Sequence, residues 1–350
     1  MVIIRARAPL RLGLGGGGTD LPEFYEKFGG KTLSAAIDLY AHTTVEPLEY
    51  PAVEIEATDL EKSDRFELVP RLEPSGSLDL HKGVYNRIVS DFNKGEPLAC
   101  RLMTYSDVPA GSGLGSSSAM VVTMVKAFVE WLNLPLDEYE IASLAYDIER
   151  KDLGLSGGKQ DQYSAAFGGI NFIEFVPNGS VIVNPLRVKN WIVCELETSL
   201  VLFHTGVSRQ SAEIIDEQAR NILNSESDSI EAMISLRDSA VEMKAALLKG
   251  RIKDFAVAMQ RSWESKKATA HSISNPFLDE VFETALRAGA LAGKVSGAGG
   301  GGFMMFLVDS SKRTSVARAL EQLDGTVRPC HLTDRGVEGW RVNAPNRLSP

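Results

Sequence analysis

The sequence predicts an α+β protein of two domains, and three observations carry that expectation. Strand-like runs interrupted by single helices fill the first half, a mainly helical block spans 211–288, and a β–loop–β–α–β tail follows. Glycine-rich loops stand at the junctions 15–18, 111–115 and 297–302. The 350 residues are 44% hydrophobic, enough apolar side chains for two cores or one large one.

Taken in order, the run 2–14 reads as a strand with turn chemistry at Pro9, broken by Gly15-Gly16-Gly17-Gly18-Thr19-Asp20. Residues 21–28 form a short helix candidate, with Pro22 tolerated in the first turn. Strands are expected at 39–47 and 53–57. Leu80, Val84, Ile88 and Phe92 recur near helical spacing and predict a helix over 80–92. A strand over 99–105 leads through a glycine–serine loop into an apolar helix over 119–132. Residues 137–151 predict another helix, with Asp137 as its acidic start. The stretch 157–167 is expected to be a loop running into a short helix, closed by Gly168-Gly169, with strands at 171–175, 181–184 and 200–204. A domain boundary near 185–200 divides the chain into 1–190 and 191–350. In the tail, strands 290–296 and 303–308 flank the last glycine loop. A helix over 311–323 and a strand over 326–332 complete a ferredoxin-like βαβ arrangement.

Composition excludes several classes of function. A net charge of −9 with no basic tract argues against nucleic acid or an anionic membrane surface as a partner. No run reaches the roughly 18 apolar residues of a membrane span, and the apolar run at 1–7 is too short for a signal peptide. Cys100, Cys194 and Cys330 lie far apart with no C-x-x-C pair, which favours a reducing compartment, and the five histidines form no zinc pattern. A cytoplasmic protein is expected.

The chemistry concentrates in the loops. Gly111-Ser112-Gly113-Leu114-Gly115-Ser116-Ser117-Ser118 lies between a strand and a long helix. Glycine lets the backbone approach an anion, and a helix N-terminus presents unpaired N–H groups to it. The serine hydroxyls add oxygen donors for phosphate or for Mg²⁺ that still carries waters. No lysine follows Gly115, as a Walker A loop requires, and the glycines come too late after the strand for a dinucleotide fingerprint. The cluster Gly15–Gly18 leaves room beside the backbone. Asp20 then either accepts from sugar hydroxyls or caps the following helix. The loop 296–302 is longer than a hairpin needs and must approach a ligand or another backbone. Asp161, in a polar glycine-flanked loop, is a candidate for positioning a hydroxyl nucleophile. Glu149 sits near a helix C-terminus, where a carboxylate calls for a cation to offset it; a solvated face paired with Arg150 or Lys151 is the alternative.

Together these residues resemble the GHMP kinases, the superfamily of galactokinase, homoserine kinase and mevalonate kinase. Pro109 to Ala119 looks like its central phosphate motif, Lys294 to Gly301 like its C-terminal motif, and Ala8-Pro9-Leu10-Arg11 with Gly18-Thr19-Asp20 like its N-terminal motif in the form sugar kinases carry. The match spans nearly the whole chain in the right order. The block from Arg5 to Asp20 is further similar to the branch acting on D-glycero-D-manno-heptose 7-phosphate, whose product feeds GDP-heptose for bacterial surface polysaccharide.

The resemblance implies an N-terminal domain like domain 2 of ribosomal protein S5 and a C-terminal ferredoxin-like domain. It also implies ATP and Mg²⁺ as cofactors, a sugar phosphate as the small-molecule partner, and leaves a homodimer open. Carried over by position, Asp161 and Arg11 are the catalytic pair, and Ser117 and Glu149 are the Mg²⁺ ligands. Pro109, Gly111, Gly113, Leu114, Gly115, Ser116, Ser117 and Ser118 hold the nucleotide. Asp20, Gly17, Gly18, Thr19, Gly299 and Gly300 hold the sugar, with Lys159 and Arg209 as cations for its distal phosphate. The spacing of Glu149 and Asp161 is about one residue wider than in mevalonate-type kinases. A kinase of an unphosphorylated sugar, or a binding protein that has lost turnover, are the rival readings.

Overall fold

A computed structural model of the chain describes residues 2–206, 211–224 and 226–343. β1 (Val2–Gly15) runs into the glycine loop and α1 (Pro22–Phe28), then returns as β2 (Gly30–Pro47). β3 (Ala52–Ala57), β4 (Lys62–Glu67), α2 (Asp79–Phe92) and β5 (Cys100–Ser106) follow. Then come α3 (Ser116–Leu132), α4 (Glu138–Asp147), a π-helical turn at Ile148–Asp152, α5 (Gln160–Phe167), β6 (Ile170–Phe175) and β7 (Val181–Pro185). The second half holds α6 (Asn190–Ser199), β8 (Leu200–His204), α7 (Ser211–Leu223), α8 (Ser227–Leu248) and α9 (Ile252–Lys267). It continues with α10 (Pro276–Ala288), β9 (Ala290–Val295), β10 (Phe303–Val308), α11 (Arg313–Leu320), β11 (Thr326–Arg328) and β12 (Glu338–Asn343).

One sheet has the order β12-β1-β2-β5-β3-β4, with β6 and β7 branching from the first part of β2. β2 is long enough, at 18 residues, to pair with β6 over Gly30–Ala35 and with β5 over Ala41–Pro47. α3 lies across β1 and β2. It is apolar on nearly every side, with Met120, Val121, Val122, Met124, Val125, Phe128 and Val129 all buried, as a helix enclosed on all faces must be. α4 starts at a reciprocal cap: Asp137 accepts from the Glu140 N–H and Glu140 accepts from the Asp137 N–H, both at 2.9 Å.

The other sheet is antiparallel with order β11-β8-β10-β9, the ferredoxin-like arrangement expected of the tail. β10 is buried along its whole length because both faces are covered. Phe303, Met305 and Leu307 join the large core shared with the first sheet, while Met304, Phe306 and Val308 join a second core under α10 and α11. Removing one such ring, as in Phe306→Ala, is expected to cost about 3–5 kcal/mol.

Several boundaries depart from the sequence expectation. α3 begins at Ser116 rather than 119, so the three serines form its first turn. Asp161 is the second residue of α5 and not a loop residue. The segment 190–199 is helical, and 62–67 is a strand paired with β3. The strand expected over 326–332 stops at Arg328, since the chain there leaves the second sheet and Leu332 bridges to Ile37 of β2. β12 then pairs with β1, so a cut near 190 assigns to the second domain a strand that belongs to the first sheet. No helix among the described residues is long and apolar enough to cross a membrane.

Candidate active site

The cavity between the halves begins at the end of β5. Gly113 and Gly115 take φ of +79° and +74°, a region that strains any other residue. Gly115 is the N-cap of α3 and no side chain caps that end, so the first-turn N–H groups are left for a ligand. Gly111, Gly113, Gly115, Ser116, Ser117 and Ser118 all line the cavity, as expected. Pro109 is exposed outside it. Leu114 is fully buried, and its carbonyl accepts from the Arg11 N–H at 3.0 Å.

The third glycine loop approaches this first one backbone to backbone. A Cβ on Gly113 would lie 2.4 Å from the Ser296 carbonyl oxygen, and one on Gly302 would lie 2.3 Å from that of Ser112. The Phe303 N–H donates to Ser112 O at 2.9 Å. Gly297 and Ala298 face the cavity. Gly299 and Gly300, expected to touch substrate, instead pack on the turn His271–Ile273, where Gly300 N–H donates to Ile273 O at 2.8 Å.

Arg11 and Asp161 meet across the cavity floor. Arg11 is 3% exposed, and both its Nε (2.8 Å) and a terminal nitrogen (2.6 Å) reach the same Asp161 oxygen, Oδ1. Its other terminal nitrogen donates to Gly113 O at 2.7 Å, tying the pair to the phosphate loop. Gly115 leaves the space: a Cβ there would sit 3.3 Å from Asp161 Cγ. Asp20 does not cap α1, whose N-cap is Leu21. It accepts from the N–H groups of Gly18 (3.1 Å) and Gln160 (3.0 Å) and from the Gln160 side chain (3.3 Å). Burial pushes its pKa above the ordinary carboxylate value; the bonds from Gln160 and Gly18 oppose that shift, and the charge of Asp161 adds to it. Gly18 lines the cavity. Gly17 lies behind it, and Thr19 is fully buried, its hydroxyl bonded to Gly16 O and Lys31 O, so Thr19 shapes the loop rather than facing a ligand.

Glu149 projects from the π-helical turn into the same cavity at 1% exposure. Burial raises its pKa, with Arg150 and the bonds from Gln162 and Ser118 opposing. Arg150 stands at 3.8 Å, the pairing the alternative expected, but Glu149 is buried and not on a solvated face. Ser118 donates to Glu149 at 3.1 Å, and Gln162 donates to its other oxygen. Successive helical residues point about 100° apart, and Ser117 is exposed toward the cavity. A single buried carboxylate beside serine hydroxyls fits Mg²⁺, which takes one or two carboxylates and otherwise phosphates and water. Among the described residues no group of three or more His, Cys, Asp or Glu could hold a metal by itself.

Of the two cations expected for a distal phosphate, Lys159 is not brought to this cavity. Lys159 turns into a separate cleft, where Nζ donates to Gly179 O at 2.7 Å and lies over the rings of Tyr25 and Tyr146. Arg209 lies outside the described residues. Residues the sequence reading passed over take part instead: Gln160, Gln162, Ser296, Gln218 and Lys266. Lys266 had a readable signal. In α9 the buried residues Phe255, Met259, Ser262, Trp263 and Lys266 follow helical spacing, which puts a lysine on an apolar stripe.

Family models match the chain in two places, the GHMP kinases N terminal domain over residues 79–169 and the GHMP kinases C terminal over 243–324. The chain is 47% identical over 342 residues to a D-glycero-alpha-D-manno-heptose 7-phosphate kinase of Campylobacter jejuni, covering 98% of this chain and 100% of the relative. Among solved structures it resembles a D-glycero-D-manno-heptose 1-phosphate kinase from Bacteriodes thetaiotaomicron, with a TM-score of 0.83, 46% identity, and coverage of 97% of this chain and 100% of that one. A putative sugar kinase from Campylobacter jejuni gives a TM-score of 0.81 at 46% identity, covering 97% and 98% of the two chains.

Proposed function

The chain belongs to the GHMP kinases, as a sugar kinase of that family, and from this premise we propose the reaction it catalyses. The γ-phosphoryl group of ATP passes to the anomeric C1 hydroxyl of D-glycero-D-manno-heptose 7-phosphate, giving the 1,7-bisphosphate. The observation that carries the reading is one cavity of about 270 Å³ that holds the amide-rich start of α3, the Arg11–Asp161 ion pair and the buried Asp20. The identity to a relative named for the same sugar phosphate supports the choice of acceptor.

Phosphoryl transfer spreads negative charge over the γ-phosphoryl oxygens, so the protein contributes position and fixed dipoles more than covalent chemistry. The N–H groups of Ser116, Ser117 and Ser118 receive the terminal phosphates, with the dipole of α3 behind them. Glu149 and a serine hydroxyl would hold Mg²⁺, which would supply positive charge to offset that of the nucleotide phosphates. Arg11 takes one oxygen of Asp161, which leaves the other for the acceptor hydroxyl. Asp161 then aligns that hydroxyl and accepts its proton. An anomeric hydroxyl is more acidic than an ordinary alcohol, so a carboxylate suffices as base. Asp20, held by Gly18 and Gln160, accepts from the sugar's other hydroxyls.

Incubation of the protein with Mg-ATP and a panel of sugars and sugar 7-phosphates, read by ADP release and phosphorus NMR, tests this. The expected result is a new anomeric phosphate signal from D-glycero-D-manno-heptose 7-phosphate. Turnover of fucose or galactose in its place keeps the fold and the transfer site but discards the heptose phosphate. ATP binding with no turnover of any sugar favours a binding protein.

A further inference from the structure

Two lysines are buried beside the acceptor wall, Lys266 at 5% and Lys294 at 6% exposure, and the transfer described above uses neither. Lys266 Nζ donates to Gly17 O at 3.1 Å and to Gln218 Oε1 at 3.2 Å. Both acceptors are neutral, and among the described residues Lys266 makes no ion pair. An ammonium has three donors. Lys266 lines the same cavity as Asp20 and Asp161, so its third donor is left for whatever occupies that space. A Cβ on Gly18 would lie 3.2 Å from Nζ, so glycine at that position keeps the approach open. Lys294 differs: its ammonium is committed to Gly13 O, and it lies behind Arg11 in a small inner cavity.

The local charge count is unusual for this chain. Counting the cavity lining and Lys294 behind it, Arg11, Arg150, Lys266 and Lys294 stand against Asp20, Glu149 and Asp161, four basic groups to three carboxylates, in a protein of net charge −9. A buried ammonium without a carboxylate partner is costly. Burial pulls the pKa of Lys266 down to about 8, with Arg11 lowering it further and Asp20 opposing. Lys294 is drawn down to about 7, by burial first and then by Lys266 and Arg11. An uncharged sugar offers this cluster nothing to neutralise, whereas a phosphate on the sugar does. The contacts of Lys266 are with the loop that carries Asp20 and with α7, not with the amides of α3, which assigns it to the acceptor and not to the nucleotide.

We propose that Lys266, held by Gln218 and the Gly17 carbonyl, is the residue that reads the phosphate of the acceptor sugar and so sets the preference for a sugar phosphate over a free sugar. This rests on the sugar-phosphate reading of the reaction. The groups facing Lys266 are Asp20 from the glycine loop, Arg11 from β1 and Lys294 from β9. Asp20 is close enough to favour the ammonium but makes no ion pair with it, so a ligand dianion can supply the direct counter-charge that Lys266 lacks.

The test compares kcat/KM for D-glycero-D-manno-heptose 7-phosphate and for the unphosphorylated heptose in wild type, Lys266→Gln and Lys266→Arg. The preference for the phosphorylated sugar is expected to fall about 30-fold or more in Lys266→Gln, chiefly through KM, and to recover in part in Lys266→Arg. Equal losses for both sugars, or a preference that survives Lys266→Gln, overturn the inference and leave the reaction standing; Arg150, which also lines the cavity, is then the next cation to examine. A wild type with no preference for the phosphorylated sugar overturns both. A measurement that needs no variant is calorimetry near about pH 8.5 in buffers of different ionisation enthalpy. Binding of the heptose 7-phosphate is expected to take up protons there, because the dianion raises the pKa of a lysine that is partly neutral in the free protein. Binding without proton uptake counts against the assignment.

Discussion

Along one wall of the cavity, residues 111–118 offer backbone amides from a single stretch of chain. Along the other, Arg11, Asp20, Asp161 and Lys266 arrive from β1, the loop after it, α5 and α9, and act through charged side chains that are buried or, for Asp161, half-buried. The first wall is made of groups that every residue carries, so side-chain changes reach it only by bending the backbone. The second depends on individual functional groups, each held by a few specific hydrogen bonds, so a single atom exchanged there should change the chemistry outright. On the proposed reading, nucleotide recognition is in this sense a property of chain geometry, and acceptor recognition a property of particular side chains.

The sharpest break in that contrast is Asp161→Asn. If Asp161 takes the proton, kcat should fall about 10²–10⁴-fold in steady-state assays of the folded variant, together with a lower melting temperature, because the buried Arg11 loses its carboxylate partner. A loss below about tenfold would leave it only an aligning role. Gly113→Ala attacks the opposite wall through the backbone, forcing a Cβ at φ +79° to within 2.4 Å of Ser296 O. A stability loss of about 2 kcal/mol is expected, seen as a lower thermal midpoint accompanied by weaker nucleotide binding. An unshifted midpoint would mean that the two glycine loops can separate freely. The smallest effect is expected from Lys159→Met. That ammonium is bound to Gly179 O and lies over Tyr25 and Tyr146, outside the cavity, so kcat/KM for the sugar phosphate should change less than about threefold. A larger drop would restore the lysine to the acceptor wall.

The same contrast explains what could be read from the sequence. Glycines and serines between a strand and an apolar helix announce the amide wall because its parts are adjacent in the chain. Arg11, Asp20, Asp161 and Glu149 were reachable only through spacing and resemblance, and the fold does bring all four to one cavity. Lys159 shows that neighbours in sequence need not be neighbours in space: it precedes Gln160, which binds Asp20, yet its side chain leaves on the other face. Ser117 and Ser118 could not be separated without the rotation of α3 relative to Glu149. The tail shows the same limit on a larger scale. α6 starts Asn190-Trp191-Ile192-Val193, a run rich in strand formers that folds as helix against the core through Ile192 and Leu196. β12 becomes a strand only by pairing with β1 from the far end of the chain, a partnership no local pattern reveals.

That last pairing bears on how the molecule is made. β1 carries Arg11, and its outer edge is closed by Glu338–Asn343, the last of the described elements to leave the ribosome. Until then the strand bearing Arg11 presents an open row of backbone donors and acceptors, the kind of edge that invites pairing with another chain. Synthesis order therefore sets a window of exposure. The vulnerable interval ends only when the final strand arrives, so premature termination anywhere in the tail leaves a nearly complete active site attached to an unsealed sheet.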